Sequence, residues 1–422
     1  NVITKNAAET RGSLAEVSVG NKTERTVSLR HGVEVNPNLH VRTHLKYRTQ
    51  DAATTVTGAL DESEHVRGGI RLDWIRDSEN SVSLQADLYS GEIGSVHPVP
   101  ELIPPYNSLV DLIDEQDGGH ILVRWNHQDE SGSNMSLQAY YDVDDRISYG
   151  QGIENKIFDV EFQHNFAFSE VIRATWGLGY RTIEDAYVDS QSLFLSPLTR
   201  STDLMSGFVQ GEFSLLEDSV NVTVGSKFED NDFTGFEVQP NIRVSYLKDD
   251  LAIWGSVARA VRTPSRMEHG FAISIAAIPP FTPGNPGALP ILMQVQGNEN
   301  LVAEELTAFE AGVRKALTDN LWIDATAYHD KYEGIVSTTA GAPVFSPGPP
   351  VPHLIFPLTL GNNRDIDVNG FELAGTWRAA DAATLKFAYT HTETSAQTGS
   401  SAMYQGPTNQ ASARASVDVP DK

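Results

Sequence analysis

The chain has 422 residues and a formal net charge of −25, with 31 Lys and Arg against 56 Asp and Glu. That balance argues against nucleic acid as a partner, because phosphate binding needs clustered cations, and the absence of Cys excludes disulfides, cysteinyl metal sites and thiol chemistry. No run of about 18 apolar residues occurs, so no transmembrane helix is expected, which leaves membrane-spanning strands open. The longest apolar run, Phe271–Ile278, leads into Pro279-Pro280. The opening Asn1-Val2-Ile3-Thr4-Lys5 has no basic and apolar leader, and is expected to be a mature or truncated start.

From the first strand onward the dominant period is two. Val82, Leu84, Ala86 and Leu88 alternate with Ser83, Gln85, Asp87 and Tyr89, and Leu137, Ala139, Tyr141 and Val143 alternate with Ser136, Gln138, Tyr140 and Asp142. Phe158, Val160 and Phe162 repeat the pattern against Asp159, Glu161 and Gln163. Such alternation marks strands with one apolar face. In chain order, strands are predicted at 11–20, 22–32, 39–48, 64–76, 81–91, 119–127, 134–144, 155–166, 171–182, 203–216, 219–229, 235–247, 251–261, 303–316, 321–335, 365–378, 383–393 and 411–419. Most are near the ~9–11 residues that a tilted strand needs to span a bilayer.

The connections fall into two sets. Asp77–Asn80, Gln128–Ser133, Lys248–Asp250 and Thr318–Asn320 are short, whereas Glu92–Gly118, Ile183–Ser201, Arg262–Asn300 and Thr338–Asn363 are long. Short turns at one rim and long loops at the other predict an outer-membrane barrel with the turns in the periplasm and the loops outside the cell. A soluble sandwich has no reason to sort its loops this way. Of 21 prolines only Pro240 falls inside a predicted strand, where a bulge or a displaced strand end is expected. Trp74, Trp125 and Trp377 share the apolar phase near the short turns and predict a lipid-facing girdle; Trp254 and Trp322 lie at the same level with an ambiguous or inward phase. Leu137 is expected at the bilayer midplane. A barrel this wide has a lumen that its own side chains cannot fill, so it is plugged or it is a pore.

An ordered series of segments resembles the TonB-dependent outer-membrane receptors of the iron-siderophore and cobalamin type. Asn1–Thr10 resembles the end of the family's plug domain, followed by Gly12 and the first barrel strands. Phe208–Gly211, Gly225–Asp230 and Gly235–Pro240 resemble mid-barrel strands. The strongest match is Trp254–Arg266, similar to the Ala-x-Arg-x-Pro element with which a family strand enters a long extracellular loop. Gly297–Leu301, Glu304–Arg314, Gly370–Glu372 and Pro407–Pro420 fit the elements that follow. The resemblance implies an all-β, large antiparallel transmembrane barrel of 22 strands with about 18 present, residues 1–10 ending the plug and residues 11–422 forming a C-terminally truncated barrel. It also implies partners: outer-membrane lipid, a small metal-chelate ligand, and the TonB–ExbB–ExbD complex acting through a plug segment absent from this sequence.

No enzyme constellation is present: no Walker loop, dinucleotide fingerprint, HExxH or GxSxG. No cofactor is expected. His40 and His44 share one face of a strand, but at about 3.3 Å per residue they stand about 13 Å apart, too far to share one ion. With Arg42, Lys46, Arg67 and Arg71 they form a basic inner wall, read either as facing plug carboxylates or as a solvated lumen surface. The acidic groups Asp142, Asp144 and Asp145, and Glu229, Asp230 and Asp232, read as loop-rim carboxylates, with Ca²⁺ binding the alternative. The long loops carry His97, Tyr106, His269, Phe271, Phe281, Phe345, His353 and Phe356, a set suited to first contact with a flat, partly apolar ligand. The expected function is energy-coupled import of a scarce metal chelate, foremost a ferric siderophore. Its rivals are import of cobalamin, heme or a carbohydrate, a passive porin, and a soluble β-rich binding protein.

Overall fold

The computed structural model describes residues 4–20, 24–52, 61–396 and 406–418. The first residues of the Asn1–Thr10 segment and of the strand predicted at 22–32, and the last of the strand predicted at 411–419 and of Pro407–Pro420, lie outside the described residues. A short 3₁₀ turn, Ala7–Thr10, opens the chain. The first strands are β1 (Gly12–Val19), β2 (Arg25–Asn36), β3 (Leu39–Gln50), β4 (Ser63–Ile75), β5 (Asn80–Pro100), β6 (Asn107–Gln128), β7 (Asn134–Ser148), β8 (Gln151–Ala167) and β9 (Ile172–Val188). After the short β10 (Leu193–Leu195) come β11 (Thr199–Leu215), β12 (Val220–Asn231), β13 (Gly235–Lys248) and β14 (Leu251–Arg262). A single helical turn, α1 (Arg266–Gly270), precedes β15 (Phe271–Ile278) and β16 (Ile291–Gln296). The chain then runs through β17 (Glu304–Thr318), β18 (Leu321–Ala340), β19 (Val344–Ser346), β20 (His353–Ala380), β21 (Ala383–Ala396) and β22 (Asn409–Val417).

All 22 strands join one sheet. Four of them, β10, β15, β16 and β19, are short excursions, so eighteen build the wall, one for each predicted strand. Each wall strand pairs antiparallel with the next wall strand along the chain, as β14 does with β17 across the excursion between them. Among the described residues no pairing joins β22 to β1. The sheet is strongly curved. β5 and β14 are eight neighbours apart, about 38 Å across a flat sheet at ~4.8 Å per strand, yet β15, which follows β14, lies against β5.

Register shows which face meets lipid. One outward row runs Leu39, Trp74, Val82, Trp125, Leu137, Phe162 and Leu178 across β3 to β9. Four residues higher runs Ile70, Ala86, Ile121, Tyr141 and Phe158. These apolar side chains stay solvent-accessible, Ile121 at 44% and Trp74 at 41%, because no protein covers them. In lipid such a band is the stable arrangement, since strand-to-strand pairing satisfies the backbone along the wall and hydrocarbon takes the place of a packed core. Leu137 is corrected from midplane to the periplasmic interface, because it shares the row of Trp74 and Trp125. Trp377 pairs with Leu321 and Leu385 on the same outer face. Trp254 points inward, lies over Gly312 and donates from Nε1 to Glu310 at 3.0 Å. Trp322, between Ala316 and Thr376, is inward as well.

Two further expectations are corrected. Pro240 sits in regular register opposite Ser226, without a bulge. The β13–β14 ladder begins one residue later, at Asn241, so the missing N–H falls where the two strands part. The long loops are also less irregular than predicted. Glu92–Gly118 is largely strand, since β5 continues to Pro100 and β6 begins at Asn107, leaving a six-residue connection. Above the bilayer no lipid imposes alternation, so the period-two signal fades there while the ladder persists.

The short turns hold by Asx chemistry. Asp77 Oδ1 accepts from the backbone N–H groups of Glu79 and Asn80 at 3.0 and 2.7 Å, and Asp129 Oδ1 accepts from Ser131 Oγ at 2.6 Å and Ser133 N at 2.9 Å. These bonds hold both carboxyls below the usual carboxylate range, Asp77 chiefly through the Asn80 amide and Asp129 chiefly through the Ser131 hydroxyl.

Candidate ligand crown and lumen wall

Packed apolar core is scarce and lies almost entirely at one end. Of the buried apolar residues Ala7, Val99, Leu102, Leu195, Ala277, Leu301 and Ala303, all but Ala7 belong to the long-loop side. There β10, β15, β16, β20 and β19 form a mixed crown sheet: β15 pairs antiparallel with β10 and β16, β16 pairs parallel with the start of β20, and β19 pairs antiparallel with β20. Parallel pairing places Met293 beside Phe356 and Val295 beside Leu358. Backbone bonds fasten the crown to itself and to the wall, with Ser274 N on Ser192 O at 2.7 Å, Ser196 N on Gly270 O at 2.9 Å and Tyr187 N on Leu198 O at 2.8 Å. Three long connections are thereby joined into one body that reaches across the mouth to β5.

The segment Trp254–Arg266 supplies its bracket. Arg262, at the end of β14, donates to Glu304 at 2.8 Å through both Nε and Nη2 and to Glu268 at 3.1 and 3.0 Å. Ser265 caps α1, its hydroxyl accepting from Glu268 N at 3.2 Å while the Glu268 carboxylate accepts from Ser265 N at 2.7 Å. Glu304 also accepts from Val336 N at 2.8 Å. Burial, the largest single influence, works upward on both carboxyls, but the Arg262 guanidinium together with the bonds from Ser265 to Glu268 and from Val336 N to Glu304 holds them below the ordinary glutamate value. The same bonds, to Glu304 first and Glu268 second, push Arg262 upward.

Gly297–Leu301 closes the loop onto this bracket. Gly297 N donates to Phe271 O at 2.7 Å and Asn298 N to Glu268 O at 2.9 Å. A Cβ at Gly297 would stand 2.6 Å from the Glu268 carbonyl oxygen, so only glycine fits. Asn298 Nδ2 reaches Leu360 O at 3.0 Å, and Leu301 is 3% exposed. The Asn and Leu of the motif therefore tie the loop to β20 and anchor it in the crown core.

A second tie is the buried pair Arg266–Asp185, at 3.2 Å. Arg266 also donates to Pro197 O and lies over the Tyr187 ring, 5.9 Å from its centroid. Beside it His269 is 6% exposed with its ring edge-on to Phe233 at 4.7 Å, and Arg200 stacks on the same Phe233 at 4.8 Å. Burial first, then Arg200, pushes the His269 pKa below its usual value. The cross-loop roles of Arg262, Glu268, Glu304, Arg266 and Asp185 were missed in sequence. The spacing Arg262-Thr-Pro-Ser-x-x-Glu268, a cap motif following a strand, was the available signal.

The predicted loop residues divide. Phe271 pairs with Leu195, Phe356 with Met293 and Phe345 with Leu354, all within the crown sheet. Phe281 is 76% exposed at a positive-φ tip, whereas His353 is buried with Nδ1 at 2.9 Å from Val351 O. His97 lies on the β5 extension, its ring 4.0 Å from that of Tyr149, and Tyr106 occupies the β5–β6 turn at φ 70°. They do not converge on one point, and the crown sheet unites Phe271, Phe345, His353 and Phe356.

The basic inner wall lies on β3 and β4. Arg42 and Arg71 face each other in register, as do Lys46 and Arg67. Arg71 Nη1 donates to Thr4 Oγ1 at 2.6 Å, Arg42 Nη1 to Lys5 O at 2.9 Å, and Asp73 Oδ2 accepts from Ala7 N at 2.7 Å. What Arg42 and Arg71 hold is thus carbonyls and a hydroxyl of residues 4–10, while Arg71 pairs with Asp73 of its own strand at 2.7 Å. His44 and Arg67 reach Asp87 at 3.1 and 3.2 Å, and His40 stands 3.7 Å from Glu34. No group of three metal-ligating side chains occurs among the described residues. The acidic rims are engaged within the wall, Asp144 by Tyr89 and Gln116 and Glu229 by Lys227 and Gln239.

A wide antiparallel wall with a lipid-facing band, short turns below and a cross-linked crown above defines an outer-membrane β-barrel of receptor type. The model of the family "TonB dependent receptor-like, beta-barrel" matches residues 24–419, and the chain belongs to that family, whose members are transporters and not enzymes. No match was found among curated proteins. The siderophore receptor PirA of Acinetobacter baumannii has a similar fold, with TM-score 0.68 at 14% identity over 97% of this chain and 65% of that one. PirA of Pseudomonas aeruginosa gives 0.66 at 14% identity over 89% and 63%. A mutant ferric enterobactin receptor PfeA of Pseudomonas aeruginosa gives 0.66 at 15% over 90% and 61%. This chain thus spans less than two thirds of the length of these structures. No helix among the described residues is long and apolar enough to cross a membrane.

Proposed function

We propose that the protein is the barrel of an importer for a scarce metal chelate, foremost a ferric siderophore, driven by the TonB–ExbB–ExbD complex through a plug domain whose C-terminal end is residues 1–10. The observation that carries this reading is the crown, three long connections fused into one body over a lumen too wide to be filled by its own wall. A passive pore gains nothing from closing its mouth in this way, whereas a receptor needs a preorganised first binding surface. Support also comes from solved proteins of similar fold, named as siderophore and ferric enterobactin receptors. Phe281, exposed at its tip, with Phe271 and Phe356 of the crown sheet, offers aromatic faces to an arriving chelate. The test is uptake of radiolabelled iron by cells carrying the full-length receptor, supplied with a panel of ferric siderophores. Uptake of one of them that vanishes on deletion of TonB is expected. Uptake of none, or uptake indifferent to TonB, refutes the reading.

A further inference from the structure

Two stretches of the crown carry no charged side chain. Residues 271–298 and 334–363 contain no Asp, Glu, Lys or Arg, where the chain's average of 21% would place about twelve. The one titratable group in them, His353, is buried. These stretches supply β15, β16, β19, the top of β18 and the first part of β20, which is the crown sheet apart from β10. One face of that sheet carries Ile273, Val295 and Leu358 in one row and Met293 with Phe356 in the next. The opposite face carries Ser274 beside Gln294 and Gln296 beside Thr359. Since neither face is charged, an arriving ligand meets no charge on the sheet.

The sheet is accessible surface and not packed core, because all six side chains of β16 are half-buried and none is buried. It reaches across the mouth to β5, away from lipid. An apolar surface of this kind held in water marks a binding face. Five prolines in 271–298 and six in 334–363, out of 21 in the chain, fix its backbone, so little ordering is left for a ligand to impose. Among the described residues the cations at its edge are committed. Arg262 is held by Glu304 and Glu268, Arg266 by Asp185, and Arg200 lies over the Phe233 ring. Arg364, which follows the second stretch, is 9% exposed and presents no charge at the surface.

An anion seated on this sheet would give up water without gaining a charged partner, in a chain whose net charge of −25 repels it. A cation would be drawn to the acidic rims and not to the crown. Gln296 donates to Gln294 at 2.7 Å, which leaves the Gln294 amide N–H and the Gln296 carbonyl oxygen for neutral hydrogen bonds. We propose that the imported chelate is electrically neutral and is received on the crown sheet through apolar contact and such neutral bonds. Among ferric chelates this selects tris-hydroxamate complexes, whose ligand charges cancel that of Fe³⁺, over tris-catecholates, which keep an excess of negative charge. The inference rests on the import reading and adds to it the charge class of the ligand.

The test is equilibrium binding of ferric probes to the full-length, detergent-purified receptor. Ferrichrome and ferrioxamine E are the neutral probes and ferric enterobactin the anion. Charge is placed on each face of the sheet in matched pairs, Met293→Lys with Met293→Glu and Gln294→Lys with Gln294→Glu. Val209→Ala, on the lipid face of β11, is the control. Heat-dependent gel mobility checks each barrel, and limited proteolysis within 263–303 checks each crown. Saturable binding of a neutral probe is expected, at least tenfold tighter than that of ferric enterobactin. It should change less than about twofold between about 0.05 and about 0.5 M salt, a range over which attraction between exposed charges is screened away. In at least one pair Lys and Glu should weaken it alike, tenfold or more, with Val209→Ala unchanged. Equal or tighter binding of ferric enterobactin, binding of no probe, or Lys strengthening where Glu weakens overturns the inference, as does indifference to all four charged variants. The import reading is judged apart, by iron uptake in cells. TonB-dependent uptake of an anionic chelate sinks the neutral-ligand inference alone, and binding of a neutral probe without TonB-dependent uptake sinks the import reading while the crown's charge selectivity stands.

Discussion

Ile121→Arg against Leu137→Arg measures how the wall sits in the membrane. Both side chains point outward and are exposed to similar degrees, 44% and 40%. Leu137 is paired with Trp125 at the interface, and Ile121 lies four residues up the same strand as Trp125. Four residues at ~3.4 Å make about 14 Å along the strand, and with a tilt of about 40° they rise roughly 10 Å, close to the centre of an apolar band ~25 Å tall. Arginine on the lipid face costs ~2–4 kcal/mol at the midplane and ~0–1 kcal/mol near the interface. The two variants should therefore differ by about 2–3 kcal/mol, on the order of 30- to 150-fold in the folding equilibrium at ~1.4 kcal/mol per decade. Denaturant titration of refolding into phospholipid vesicles reads the difference, with heat-dependent gel mobility as the signal. Equal costs, or a greater cost at Leu137, would refute the assigned height and with it the lipid-facing row.

Arg262→Ala should loosen the crown without unfolding the barrel, because it leaves Glu268 and Glu304 unpaired. The cost should be about 1–2 kcal/mol, held down by the half-exposed guanidinium, and faster proteolysis within 263–303 would report it. Glu268 and Glu304 have pKa values below the ordinary 4.5 in the folded crown, so their contribution is complete above that value and lost as pH falls through the folded values. Amide exchange in α1 should accordingly rise below about pH 4.5 in the parent and much less in Arg262→Ala. His269 behaves likewise at higher pH. Facing Arg200, Arg266, Glu268 and Glu299, it is held neutral below its usual 6.5, so its contribution holds above 6.5 and falls away beneath it, and His269→Gln should flatten exchange at 265–271 between pH 7 and 5. Asp73→Ala removes a carboxylate buried with Arg71 and should free residues 4–10 at a cost of about 3–5 kcal/mol; slow exchange persisting at the Ala7 amide would count against this. Phe271→Ala with Phe281→Ala should weaken siderophore binding by the intact receptor with the barrel preserved, and unchanged affinity removes both from the site.

Much of this protein is written in its alternation. Because lipid touches one face of every wall strand and the lumen the other, Leu84, Ala86 and Leu88 must alternate with Gln85, Asp87 and Tyr89, so strand number and order were legible along the chain. Trp74, Trp125 and Trp377 were placed for the same reason. The crown was not legible. Once β5 and β6 leave the bilayer no solvent boundary sorts their faces, and the β16–β20 parallel pair joins residues about sixty positions apart that no local pattern relates. The bracket of Arg262 with Glu304 and the hold of Arg42 and Arg71 on residues 4–10 each arise where distant segments are brought together. A local period can announce that a residue faces inward. Which other inward residue it meets is decided only when the sheet curves and fixes one register for all eighteen strands.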